Sequence, residues 1–217
     1  MHNSLEIRQL KKIYGTKREE ITSRLKEFKR YRFLKSDEEI FEELAFCLLT
    51  PQSKAKYCWD AVAVIREENL LLKGTAGQIR RKLHCVRFHN KKALYVVEAR
   101  KLFMTNGEIS LKTLLEQFTD IHECRDWLVK HIKGLGYKEA SHFLRNIGLG
   151  DELAILDRHI LRNLELLGVI PEIPESLSGA KYLKIEEKMS RFAKQIHIPL
   201  SHLDLLLWYK ETGEIFK

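Results

Sequence analysis

Apolar residues in this 217-residue chain recur at steps of three and four almost from end to end, and the alternating pattern of a strand is nearly absent. Ala140, Phe143, Leu144 and Ile147 fall on one helical face, and Ile160, Leu161, Leu164 and Leu167 on another. Tyr182, Ile185, Met189, Phe192 and Ile196 continue the rhythm near the end. Ser36-Asp37-Glu38-Glu39 is a capping box that opens a helix with Ile40, Phe41, Leu44, Ala45 and Leu48 in one stripe. Pro51 stops that helix after Leu49-Thr50. The spacing predicts further helices over 53–67 and 91–104, with short ones at 111–118 and 127–132. The segment 169–174 reads as a stiff extended connection between helices, and no long linker or internal repeat divides the chain. The expected class is all-α, with about ten short helices.

Composition narrows the function classes. A hydrophobic fraction of 44% supports a real core and excludes disorder. No apolar run is long enough to span a bilayer, and the N-terminus lacks a signal pattern, so the chain reads as a soluble intracellular protein. Lys and Arg total 38 against 30 acidic residues, and a formal charge of +8 favours a polyanionic partner. Cys47, Cys58, Cys85 and Cys124 have neither zinc-ribbon nor iron–sulfur spacing and read as small buried hydrophobes. The nine histidines form no metal motif, so no metal site is expected.

The most informative stretch begins Ile132-Lys133-Gly134-Leu135-Gly136-Tyr137-Lys138. Two glycines one residue apart let the chain turn sharply between helices and expose amides at the start of the next helix, where an anion is favoured. With Lys133 beside them, Gly134 and Gly136 suit a DNA phosphate, although the same tripeptide also serves as a plain tight turn. Lys138 lies off the apolar stripe of the following helix. Downstream, Asp157 occupies the N-cap position of a helix that starts at Arg158.

The run from Gly134 to Lys138, then a helix, an apolar segment and Asp157, resembles the helix-hairpin-helix DNA glycosylases of base-excision repair. Leu48-Leu49-Thr50-Pro51-Gln52 resembles the family's loop near the DNA stack, and Arg87-Phe88-His89-Asn90-Lys91-Lys92-Ala93 its helix-opening segment. Short length, missing cluster cysteines and the ending Trp208 to Lys217 are similar to the small second class of 8-oxoguanine DNA glycosylase/AP lyase, known mostly from archaea. The likeness covers nearly the whole chain.

That resemblance implies two helical lobes with the active site in the cleft between them. One lobe would be 36–132; the other would be 1–35 with 133–217, carrying the hairpin (133–148) and Asp157. It implies a bifunctional enzyme that removes 8-oxoguanine from double-stranded DNA through a lysine Schiff base and then eliminates the 3′ phosphate. Lys138 would be the nucleophile, and Asp157 would orient or deprotonate its amine and stabilise charge on the sugar. Phe88 and Trp208 would sandwich the flipped base, with core packing beside Leu203, Leu206 and Leu207 the competing role for Trp208. The C-terminal Lys217 would read the lesion, unless it is a frayed tail. Gln52 would fill the gap in the duplex or simply open a helix. His142, one turn after Lys138, would touch DNA or assist proton transfer, or else be a structural histidine. Arg158 and Arg162 would meet phosphates or solvent.

No organic cofactor is implied, although hairpin carbonyls in such proteins often hold a monovalent cation. The chain would act as a monomer in the cytoplasm, associated with the nucleoid and not with a membrane. Rival readings are a related glycosylase for oxidised pyrimidines or alkylated bases, and a non-catalytic hairpin module that only grips DNA.

Overall fold

The computed structural model describes residues 3–215. Helix α1 (Ser4–Leu34) is followed by α2 (Asp37–Leu49), α3 (Ala55–Glu67), α4 (Leu70–Lys73), α5 (Ala76–Lys82) and α6 (His89–Phe103). A β-hairpin of β1 (Met104–Thr105) and β2 (Glu108–Ile109) pairs Met104 with Ile109 and Thr105 with Glu108. Then come α7 (Leu111–Leu115), α8 (Ile121–His131), α9 (Tyr137–Asn146), α10 (Arg158–Leu166), α11 (Gly179–Ile196) and α12 (Leu200–Thr212). The all-α expectation holds apart from the small hairpin. Its signal was Asn106-Gly107, whose φ values of 53° and 88° give the two positive-φ positions that a two-residue strand turn needs.

The chain forms two compact units, Tyr31–Ile147 and a discontinuous one of Met1–Arg30 with Gly148–Lys217. The sequence division at 36 and 132 had assigned the glycine hairpin to the discontinuous lobe, whereas the hairpin and α9 lie in the middle unit. The cause is packing, because α9 lies against α2 and α8. Asn146 Nδ2 on α9 donates to Glu43 Oε1 on α2 at 2.7 Å, and Arg125 Nη1 on α8 donates to Ser141 Oγ on α9 at 3.1 Å.

In the middle unit α2 is central and packs against α3, α6, α7 and α9. Every residue from Ile40 to Leu49 is buried, so the single apolar stripe expected from the sequence is only part of its buried surface. The Ser36 capping box forms as predicted. Asp37, the next residue, closes a different helix: its Oδ1 accepts the Leu111 and Lys112 amides, both at 2.6 Å, at the start of α7. Arg100 on α6 in turn donates to the carbonyls of Leu70, Leu71 and Gly74 at the end of α4, at 3.3, 3.0 and 2.8 Å.

In the discontinuous unit, Leu10, Ile21, Leu25 and Phe28 of α1 are buried, as are Ile160 and Leu164 of α10, Tyr182, Met189 and Phe192 of α11, and Leu203, Leu206 and Leu207 of α12. Gly148 has φ +82°, and a Cβ there would stand 2.5 Å from Lys29 Cα, so the backbone passes α1 too closely for any side chain. Two residues of α11 hold the buried strand-like segment before α10. Glu186 Oε1 accepts the Ala154 amide at 2.8 Å, and the Tyr182 hydroxyl donates to Ala154 O at 2.5 Å while accepting Leu156 N–H at 3.3 Å.

Replacing Asp37 with Ala removes the acceptor of two amides and is expected to lower stability by about 1–3 kcal/mol, as read from urea unfolding midpoints, with Asp37→Asn recovering most of it.

Candidate active site

The turn from α8 to α9 is built on Gly134. Its φ is +86°, and a Cβ at that position would lie 2.2 Å from the Tyr95 ring on α6. Leu135 N–H donates to Ile132 O at 3.2 Å, and the buried Leu135 side chain anchors the turn. Gly136 is the N-cap of α9 and supplies no side-chain cap. Lys133 is exposed, with Nζ 3.7 Å from Glu98 Oε1. The Arg125 guanidinium sits 5.2 Å from the Tyr137 ring centroid and braces the first residue of α9 against α8.

Lys138 is the second residue of α9, and its Nζ is 3.5 Å from Glu139 Oε1. Its charge acts on the neighbouring Cys47 and Cys58 thiols and the Lys92 amine. Burial pushes Cys47 well up and Cys58 up to about 11, so neither is a ready thiolate. Burial pulls Lys92 down to about 8. His142 corrects the expectation of a DNA contact: it is 6% exposed, and its ring meets Phe46 edge-on at 5.6 Å, which makes it part of the core.

Asp157 is the N-cap of α10, with Oδ1 accepting Ile160 N–H at 2.8 Å as its sequence position predicts. The Glu186 and Tyr182 contacts to Ala154 and Leu156 fix the backbone that delivers it. Trp208 on α12 is partly buried, and its ring meets His159, two residues beyond Asp157, edge-on at 5.6 Å. Asn163 Nδ2 donates to His159 O at 2.9 Å and Glu211 Oε1 at 2.8 Å. Among the described residues, buried Asn163 Oδ1 and Trp208 Nε1 have no hydrogen-bond partner, an acceptor on α10 and a donor on α12 left open. Arg158 and Arg162 are exposed. Lys217 lies outside the described residues.

Gln52 and Phe88 are both exposed, and both adopt left-handed backbone, with φ of 55° and 58°. The Arg87 guanidinium lies 5.4 Å from the Phe88 ring centroid. The two loops are linked, because Ser53 Oγ accepts Arg87 N–H at 3.0 Å and Lys92 Nζ at 3.1 Å. Sequence reasoning missed Lys92, Ser53, Tyr95, Glu186, Asn163 and Glu211. Lys92 and Glu211 lie within segments the resemblance singled out but were given no role, and each of the six acts across a separation that periodicity does not encode.

The hairpin with its lysine and the capping aspartate can be set against known proteins. The model of the Ogg-HhH family, described as 8-oxoguanine DNA glycosylase, matches residues 21–198. The chain belongs to this family. An 8-oxoguanine DNA glycosylase/AP lyase of Fusobacterium nucleatum is 47% identical over 96% of this chain and 96% of its own. The Methanocaldococcus jannaschii protein of the same name is 41% identical over 96% of this chain and 99% of its own. Its crystal structure superposes with a TM-score of 0.87 and 38% identity over the whole of both chains, so the helix-hairpin-helix fold of the family is the fold of this chain. The same enzyme in complex with a 15mer DNA containing 8-oxoguanine also matches at TM-score 0.87 and 38% identity, over 97% of this chain and 99% of that one. The family includes bacterial relatives as close as the archaeal ones, which widens the mostly archaeal resemblance read from the sequence.

In this 8-oxoguanine glycosylase fold the hairpin leaves no room at Gly134. Gly134→Ala is expected to cost at least about 1 kcal/mol of stability, because a positive φ is imposed on alanine and the new methyl meets the Tyr95 ring. Urea unfolding reads that loss, and a parallel titration with undamaged duplex is expected to show weaker binding.

Proposed function

We propose that this chain is a bifunctional base-excision-repair enzyme that excises 8-oxoguanine from double-stranded DNA and then cuts the strand at the abasic site. The observation that carries the reading is Lys138 in the first turn of α9, directly after the Gly134–Gly136 turn, in a chain matched over 96% of its length by relatives named 8-oxoguanine DNA glycosylase/AP lyase.

In this reading the damaged nucleotide is flipped from the stack. The neutral Lys138 amine attacks C1′, the C1′–N9 bond breaks with its electron pair leaving on the base, and the departing base takes up a proton. The nitrogen lone pair then forms the C=N bond as the C1′–O4′ bond breaks, O4′ takes up a proton, and the opened sugar is held as a protonated Schiff base. Removal of a C2′ proton then expels the 3′ phosphate, and water releases the enzyme. Asp157 receives the proton shed by the attacking amine and offsets positive charge on the sugar. One of its oxygens is held by Ile160 N–H, and the other does this work. The hairpin residues Lys133, Gly134 and Gly136 hold a backbone phosphate. Phe88 and Trp208 stack on the extrahelical base, each stacking contact worth roughly 1–3 kcal/mol. The open Trp208 Nε1 and Asn163 Oδ1 support a polar ligand beside that ring. Gln52 fills the vacated stack, and Lys217, through a main-chain oxygen, reads the N7–H that distinguishes the lesion from guanine.

Amine and carboxylate carry the whole reaction, so it needs no metal or organic cofactor. One copy suffices at one lesion, and the protein works as a monomer wherever the chromosome lies. Among the described residues no helix is long and apolar enough to cross a membrane.

Borohydride trapping on a duplex with a single 8-oxoguanine is the direct test, with an undamaged guanine duplex as control. The wild-type chain is expected to form a covalent complex with the lesion duplex alone, and Lys138→Gln to form none. No trapping with any damaged base, while DNA is still bound, would overturn the reading. Asp157→Asn keeps an N-cap acceptor and is expected to hold stability within roughly 0.5 kcal/mol. Base release by the same variant is expected to fall about 10²–10⁴-fold, measured in single turnover.

A further inference from the structure

Lys92 is a buried charge that the proposed chemistry does not use. It is 4% exposed, and its Nζ donates to Leu49 O and Pro51 O, both at 2.7 Å, and to Ser53 Oγ at 3.1 Å. An ammonium has three hydrogens, and all three are spent on neutral acceptors. A buried cation without a directly bonded anion is costly, so its retention needs a reason beyond packing.

The acceptors supply that reason. Leu49 is the last residue of α2, whose closing carbonyls have no partner within the helix, and a cation is favoured at such an end. Pro51 and Ser53 flank Gln52, an exposed residue held at φ 55°. Ser53 Oγ also accepts Arg87 N–H at 3.0 Å, immediately before Phe88, which is held at φ 58°. Lys92 itself lies one turn into α6, with its amide donating to Phe88 O at 3.1 Å. One side chain therefore joins the two loops whose tips are Gln52 and Phe88. Left-handed backbone at non-glycine residues costs energy and persists where the surroundings over-determine it.

We infer that Lys92 is a positioning residue, which through Ser53 and the carbonyls of Leu49 and Pro51 sets Gln52 and Phe88 in fixed register for engaging the duplex around an extrahelical base. This rests on the proposed function, in which Gln52 and Phe88 touch DNA. Lys92 touches neither DNA nor the reacting atoms. It makes the two contacts a single unit, so that the residue filling the gap and the residue stacking on the base arrive together.

Single-turnover excision of 8-oxoguanine by the full chain, measured across enzyme concentrations, tests the inference. Lys92→Met keeps the length of the side chain but takes the ammonium donor from Leu49 O and Pro51 O, leaving them, among the described residues, only the Cys58 thiol at 3.2 Å and the Ser53 hydroxyl at 3.5 Å. It is expected to raise the half-saturating enzyme concentration about tenfold or more, with the plateau rate falling less than about threefold. Gln52→Ala and Phe88→Ala, each costly in the wild-type chain, are expected to cost little when added to Lys92→Met, because coupled residues are non-additive. Costs that multiply, or a plateau rate that collapses at unchanged half-saturation, would overturn the inference. If Lys92→Met does not fold, Ser53→Ala removes the hydroxyl shared by Arg87 N–H and Lys92 Nζ while leaving Lys92 its bonds to Leu49 O and Pro51 O. The same pattern at smaller size supports the inference, and wild-type behaviour overturns it. A wild-type chain that releases no 8-oxoguanine defeats the functional reading and the inference together. Normal wild-type release with an unchanged Lys92→Met defeats the inference alone.

Discussion

A helix that ends inside a protein must find partners for amides or carbonyls its own turns cannot satisfy. The twelve helices among the described residues, several of them two turns or shorter, meet this requirement many times over. Here it is met by side chains reaching from elsewhere. Asp37 closes the start of α7, Arg100 the end of α4, Lys92 the end of α2, and Glu186 with Tyr182 the approach to α10. These polar tethers, added to ordinary apolar packing, set the angles at which short helices meet. The residues assigned to chemistry stand at the same ends: Lys138 in the first turn of α9 and Asp157 as the cap of α10.

Much of this was legible in the residues alone. The Ser36 capping box, the stop at Pro51 and the Asp157 cap are local events, decided within four residues. Both caps form as read, and the helix ends before Pro51, although Thr50 was expected to leave helical geometry and instead keeps φ −69° and ψ −30°. The helical stripes were legible because burial imposes the period directly. The wrapping of α2 on every side was not, since a helix covered all round loses its one-sided pattern, and Glu42 and Glu43 disguise it further. The β-hairpin was overlooked because two-residue strands carry almost no periodicity, although Asn106-Gly107 announced the turn.

The candidate site divides the same way. Glycine turns and caps are written in sequence, so the Gly134 turn and the Asp157 position were open to reading. Lys92 reaches back about forty residues to Leu49 and Pro51, and nothing in its neighbours Lys91 and Ala93 marks it as different from a surface lysine. His142 shows the opposite error. Its place one turn after Lys138 suggested a shared face, yet the side chain turns into the Phe46 contact and leaves the surface.

The discontinuous unit has a consequence for synthesis. Helix α1 and the residue before it pair across most of the chain's length: Asn3 N–H reaches Leu167 O, Tyr14 meets His202, and Lys210 pairs with Glu6. When α1 leaves the ribosome none of these partners yet exists. The continuous middle unit, translated in one stretch, can assemble while the remainder is still being made, as domains commonly do. Helix α1 must therefore wait for residues as late as Lys210, and the surroundings of Asp157 are completed only once α11 and α12 have been made.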